Sequence, residues 1–283
     1  MIAIKITATV AVLWVMFVEG LGLELRSLVA ILRRPRVLVH AFLVVDVLVP
    51  LAAWVLILGI RPDSRVAAAV ALVAACPIAP LALRRTRGAV GQRELAGAIH
   101  LCLGILSVVT TPVTLALLAT ALGYAARVPA GEVARGVFLV LVLPLAVGLT
   151  VGTWWPRLAL RLRRHGGRVA LAVLALVFLL VLFSQAHALA GVGLRGFATM
   201  FAFVAAALLI GHLGGPRDHR IRPIFAMEAS SRNLGLAFFI AAAVMGQRAA
   251  LPFLVPYVVV FLFVTSIYLR VVRSRVPRTA RQD

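Results

Sequence analysis

Apolar residues run through this chain in nine blocks, at 6–25, 37–60, 66–83, 95–122, 136–155, 169–189, 197–213, 224–245 and 251–272. Each is close to the roughly 20 residues that a helix needs to cross a hydrocarbon core at about 1.5 Å per residue. None alternates polar and apolar with the period of two expected of a membrane β-strand. The connections are short, so the pattern predicts an all-α integral membrane protein of nine transmembrane helices forming a single domain over residues 1–283.

Two blocks carry interruption signals. In the third, Pro77 and Pro80 each remove a backbone donor and should break the helix inside the membrane. The Ser230-Ser231 pair and Gly235 give the eighth a weaker break. Broken membrane helices survive only where they line a cavity or pack in protein. Two such spans in corresponding places of two halves point to an inverted-repeat transporter with its site near the midplane.

Composition agrees, because 63% hydrophobic residues, 13% charged residues and a mean hydropathy of +1.08 lie far from soluble domains. The formal charge of +20 raises nucleic-acid binding, but the basic residues sit between apolar runs and form no basic domain, so no nucleic-acid partner is expected. They instead report orientation. Of 29 basic residues, 21 fall after the odd-numbered blocks one, three, five and seven and at the C-terminus, 7 fall on the opposite side, and Arg232 lies inside a block. The positive-inside rule then places the C-terminus in the cytoplasm and the N-terminus outside an inner (plasma) membrane. Cys76 and Cys102 lie within apolar blocks without CxxC or Cys/His spacing, which indicates small buried hydrophobes and no zinc site or disulfide framework. Only Lys5 precedes the first block and no small-residue cleavage site follows, an argument against a removed signal peptide.

The chemistry lies in the few polar residues that the blocks contain. Glu228 and Arg232 stand one helical turn apart in the eighth, where a lone charge costs at least about 2.5 kcal/mol, so they are expected to neutralise each other. A structural pin between helices is the plainer use of such a pair. Asp46, mid-block and one turn before Pro50, is too short to snorkel and is a candidate proton carrier or counter-ion. Glu19 is placed to pair with Arg26 or a neighbouring arginine. His40 and His100 are read as relay members or as helix-to-helix hydrogen bonds. Thr110, Thr111 and Thr114 surround Pro112, where hydroxyls can repair lost backbone bonds. No GxSxG, HExxH or Walker-type loop is present, which argues against an enzyme.

GLGLELRSLVAILRRPRVL, DVLVPLAAWVL, CPIAPLAL and EASSRNLGLA, in this order and spacing, resemble the bile acid:sodium symporter superfamily over essentially the whole chain. The resemblance implies nine helices, where other members have ten, divided into a panel (about 6–25, 136–155 and 169–189) and a core (about 37–122 and 197–272) whose two broken helices cross near the substrate and sodium sites. It also exposes departures. The family's Glu-x-x-x-Gln-Asn reads here Glu228-x-x-x-Arg232-Asn233, and its Ser-Asn pair is replaced by Pro80-Leu81-Ala82-Leu83. A guanidinium supplies positive charge and donors but no oxygen ligand.

The resulting expectation is a secondary active transporter of a small organic anion working by alternating access in the lipid bilayer, with no cofactor and no metal. Arg232, Asn233, Ser231 and Pro80 would bind substrate, and Glu228 or Asp46 would carry a coupling proton in preference to sodium. The alternatives are a non-transporting sensor or scaffold and a sodium-coupled symporter with a rearranged cation site. Substrate, direction and oligomeric state are not specified by the sequence.

Overall fold

The computed structural model describes residues 2–79, 93–123, 128–184, 191–218, 221–244 and 253–275. Among them every regular element is helical: α1 (Ile2–Gly20), α2 (Leu25–Leu32), α3 (Pro35–Phe42), α4 (Val49–Ile60), α5 (Ser64–Ala75), α6 (Arg93–Ala121), α7 (Ala130–Val137), α8 (Leu143–Trp154), α9 (Pro156–Ser184), α10 (Gly193–Gly214), α11 (Arg222–Ser230), α12 (Leu234–Phe239) and α13 (Leu254–Arg275). Single π-helical stretches, Leu43–Leu48 and Phe138–Val142, join α3 to α4 and α7 to α8 into continuous rods, and a third, Ile240–Val244, extends α12.

Five described helices are long and apolar enough to cross a membrane: Pro35–Ile60, Leu95–Ala121, Ala130–Trp154, Gly193–Gly214 and Leu254–Val272. Their outward positions are Leu, Val and Phe, as at Val109, Leu117, Leu209 and Phe263, so the solvent that suits this surface is hydrocarbon. The molecule is a multi-pass membrane protein.

Helix packing here depends on glycine. In α8, Gly148 and Gly152 are spaced small-xxx-small, and a Cβ at Gly148 would run into the carbonyl oxygen of Phe17. Reciprocally, a Cβ on Gly20 would meet the Leu145 carbonyl oxygen, so α1 and α8 touch backbone to backbone. The Trp14 indole N–H, donating to Gly166 O at 3.1 Å, ties α1 to α9 as well. A second group gathers on α10, which packs against α4, α11 and α13. Its Gly211 lets the Phe225–Ala226 backbone of α11 approach closely. The groups meet where Gly235 of α12 lies against Val12 of α1.

Two sequence expectations need correction. The arginine-rich stretch 157–168, read as a loop, is the first three turns of α9, which starts directly after Trp155. Arginine and leucine are good helix formers, and basic charge alone does not end a helix. The Thr110 hydroxyl does not repair the backbone at Pro112; it donates to Asp46 Oδ1 at 2.9 Å.

Candidate functional site

The site is built from the end of α5 and the break between α11 and α12. α5 starts with Asp63, whose carboxylate accepts the Arg65 N–H at 2.9 Å as an N-cap. It ends at Ala75, because Pro77 lacks an N–H and its ring drives Cys76 out of the helical region, to φ −107° and ψ 85°. Cys76 N–H folds back onto Val73 O at 3.0 Å. Ile78 then adopts φ 66°, a left-handed conformation that costs a β-branched residue about 1–2 kcal/mol and is held by complete burial.

The break separates α11 from α12. Ser231 is extended at φ −88° and ψ 103°, and Asn233 caps α12 through its Oδ1, which accepts the Leu236 N–H at 3.0 Å. The Asn233 N–H donates to Cys76 O at 2.8 Å, so the end of α5 and the break between α11 and α12 meet at this crossing of the chain and are joined by a backbone hydrogen bond. Tyr257 of α13 donates its hydroxyl to Ser230 O at 3.3 Å, closing off the last turn of α11.

Arg232 lies inside this crossing, 2% exposed. Its Nη2 donates to Ala74 O, orphaned by the end of α5, and to Val45 O at 3.1 Å. Val45 belongs to the π-helical stretch ahead of Pro50, where the ordinary i to i−4 ladder is disturbed. The guanidinium thus occupies carbonyl oxygens of the kind that a hard cation would seek.

Glu228 and Arg232 do not form the ion pair that the spacing suggested. The helix stops at Ser230, so the two residues are no longer one turn apart on one face. Asp46 is the carboxylate that acts most strongly on Arg232, ahead of Glu228. Glu228 instead faces His100 of α6, whose Nδ1 lies 3.0 and 3.1 Å from the two carboxylate oxygens. Of the two readings kept for His100, the link between helices is the one observed. Tyr257 was missed altogether; in the sequence it is one aromatic in an apolar run.

Ser231, Arg232, Asn233, Asp46 and Glu228 therefore all lie at the crossing or on elements packed against it. Pro80 falls outside the described residues. Several buried polar atoms here have no partner among the described residues: Arg232 Nε and Nη1, Asn233 Nδ2, Ser231 Oγ, Asp46 Oδ2 and His100 Nε2. A buried polar group left unsatisfied costs about 1–3 kcal/mol, so native proteins rarely gather them without use. The donors among them suit an anion, and a planar guanidinium suits a carboxylate or sulfonate best.

The family model described as Sodium Bile acid symporter family matches residues 9–191, which takes in the end of α5 and the helices that frame it. No curated protein matches the chain. With an apolar helical body and a family model covering well over half of its length, the chain belongs to the sodium bile acid symporter family and is a membrane transporter of that type.

Proposed function

We propose that this protein is a secondary transporter of a small organic anion that uses Arg232, and no sodium ion, at this crossing of the chain. The observation that carries this reading is the buried guanidinium itself, anchored through Nη2 on Val45 O and Ala74 O while Nε and Nη1 have no partner among the described residues. Nη2 is held, and the separate N–H groups of Nε and Nη1 remain as donors for an oxyanion. A sodium ion in the same small volume would set like charges together in low dielectric. The α1, α8 and α9 group would serve as panel, the helices around α10 as core, and the anion would bind between them in a plasma-membrane protein with its N-terminus outside. A proton would take the place of the coupling cation.

The reading is tested on purified protein by thermal shift against carboxylates, sulfonates and bile-acid-like compounds, since a ligand of the native state raises its apparent stability. An anion should protect the wild type and not Arg232→Ala. Its uptake into proteoliposomes should be unchanged when choline replaces sodium at constant ionic strength. Equal protection of Arg232→Ala, or a saturable sodium dependence, overturns the reading.

A scaffold in which Arg232 only pins helices is supported by the same two carbonyl contacts. It would leave every tested anion without effect on stability and every proteoliposome without uptake.

A further inference from the structure

His100 and Glu228 come from helices 128 residues apart in sequence and meet where both side chains are inaccessible, at 0% and 1% exposure. Nδ1 lies within hydrogen-bond distance of both carboxylate oxygens. Against an ionised carboxylate it serves as the N–H donor, which makes Nε2 the nitrogen with the lone pair. Nε2 is itself buried without a partner among the described residues. A helix-to-helix link needs only the first of these contacts. A second buried nitrogen, left open, is the feature that a link does not require.

The surrounding charge gives that nitrogen a use. The buried titratable or charged groups on the elements packed around the pair are Asp46 on the π-helical stretch, Cys76 at the end of α5, Arg232 between α11 and α12, and Tyr257 on α13; His212, Tyr268 and Arg222 are less buried, and His40, Arg26, Arg36, Arg65, Glu132, Arg135, Arg195 and Arg270 are exposed. The charge of Arg232 reaches both Asp46 and Glu228. With both carboxylates ionised and His100 neutral, two negative charges face one positive charge, and the buried set carries one excess negative charge. Adding a monoanion would double that excess.

We propose that the His100–Glu228 pair is a buried proton-binding site, loading one proton on His100 Nε2 and so switching the crossing between an excess negative charge and balance. In the open state Nε2 takes the proton from hydronium and leaves water, giving an imidazolium held by Glu228. Release is the reverse on the other side, and no bond to carbon changes. The proton then offsets the charge of the anion at Arg232; this last step rests on the function proposed above, whereas the proton site itself does not.

The test uses the full chain in lipid nanodiscs, with ¹⁵N-labelled histidine and no added anion. A variant with His40, His165, His187, His212 and His219 changed to Gln leaves His100 as the one imidazole and does not touch the pair. Its ¹⁵N signals should pass from neutral imidazole to imidazolium as the pH is lowered. In the same background Glu228→Gln should move the midpoint, since the carboxylate that holds the imidazolium is gone. If Glu228→Gln does not fold, Glu228→Asp, which retracts the carboxylate, is expected to move it as well. A single protonation state at every pH tested, or a midpoint indifferent to residue 228, overturns the proposal. A normal titration with no anion bound at Arg232 would leave the proton site standing and remove the anion site, and the converse would do the opposite.

Discussion

Arg232 reaches across the crossing to donate to the carbonyl oxygen of Val45 at 3.1 Å, 187 residues away in sequence. Removing this side chain should therefore be felt in the fold as well as in the site. Arg232→Ala leaves two buried carbonyls and Asp46 uncompensated and should destabilise the protein by about 3–5 kcal/mol, the cost of breaking a buried charged network from one side. Arg232→Lys, a point charge on a flexible stem, should retain part of the stability and lose most anion protection. Thermal unfolding with and without the protecting anion reads both. An Arg232→Ala protein as stable as wild type would show the carbonyl contacts to be incidental.

Thr110 and Asp46 should be coupled. The Thr110 hydroxyl donates to Oδ1 at 2.9 Å, and Oδ2 has no partner among the described residues. Thr110→Val should cost about 1.5–3 kcal/mol, the range for a hydrogen bond to a charged group, and much less in an Asp46→Asn background. A double-mutant cycle by thermal unfolding should give an interaction energy of about 0.5–3 kcal/mol. Strict additivity would mean that the two side chains do not meet.

Glycine substitutions should separate contact from propensity. Gly148→Ala pushes a methyl group at the Phe17 carbonyl and should cost about 1–3 kcal/mol. Gly59 lies in α4 with nothing within 4 Å of its absent Cβ, so Gly59→Ala should be neutral or stabilise by up to about 1 kcal/mol. Equal melting temperatures for the two variants would contradict the close approach of α1 and α8.

Orientation is testable by accessibility. In a background where the buried Cys76 and Cys102 are replaced, Arg61→Cys should react with an impermeant thiol reagent added outside intact cells, and Arg164→Cys should react only after permeabilisation. The opposite pattern would invert the topology.

Asp63 should report pH at the start of α5. The Arg65 side chain and N–H, both bonded to Oδ1, hold its carboxyl below the ordinary carboxylate range. A depressed carboxyl stabilises the fold at pH values above the unfolded group's range and loses that contribution as pH falls through its lower folded value. Asp63→Ala should thus cost about 0.5 kcal/mol near neutrality, the modest value of an exposed cap, and progressively less in acid as the carboxyl becomes protonated. Melting curves of both proteins near neutrality and in acid would show it; a constant difference would assign the loss to something other than the carboxylate.

What could be read in the sequence follows from which forces are local. Apolar run length and Pro77 act within one helix, so the membrane-spanning character and the end of α5 were legible. The break between α11 and α12 was also written locally, in Ser230-Ser231 and in Asn233 as a cap, but the i to i+4 spacing of Glu228 and Arg232 was read as if the helix continued. That error moved Glu228 onto the wrong partner. His100 could not be matched to Glu228 from one chain, because nothing in either residue's neighbourhood names a partner so far away in sequence. The targets of Arg232 were hidden for another reason: they are carbonyl oxygens, which every residue carries.

The bond from Asn233 N–H to Cys76 O is likewise made of main-chain atoms alone. Any residue except proline can stand at position 233 and still make it, and any residue at all can stand at position 76. The crossing can therefore be inherited while its side chains drift. Such a main-chain joint would let a cation ligand be exchanged for a tethered guanidinium without losing the scaffold that brings the two segments together.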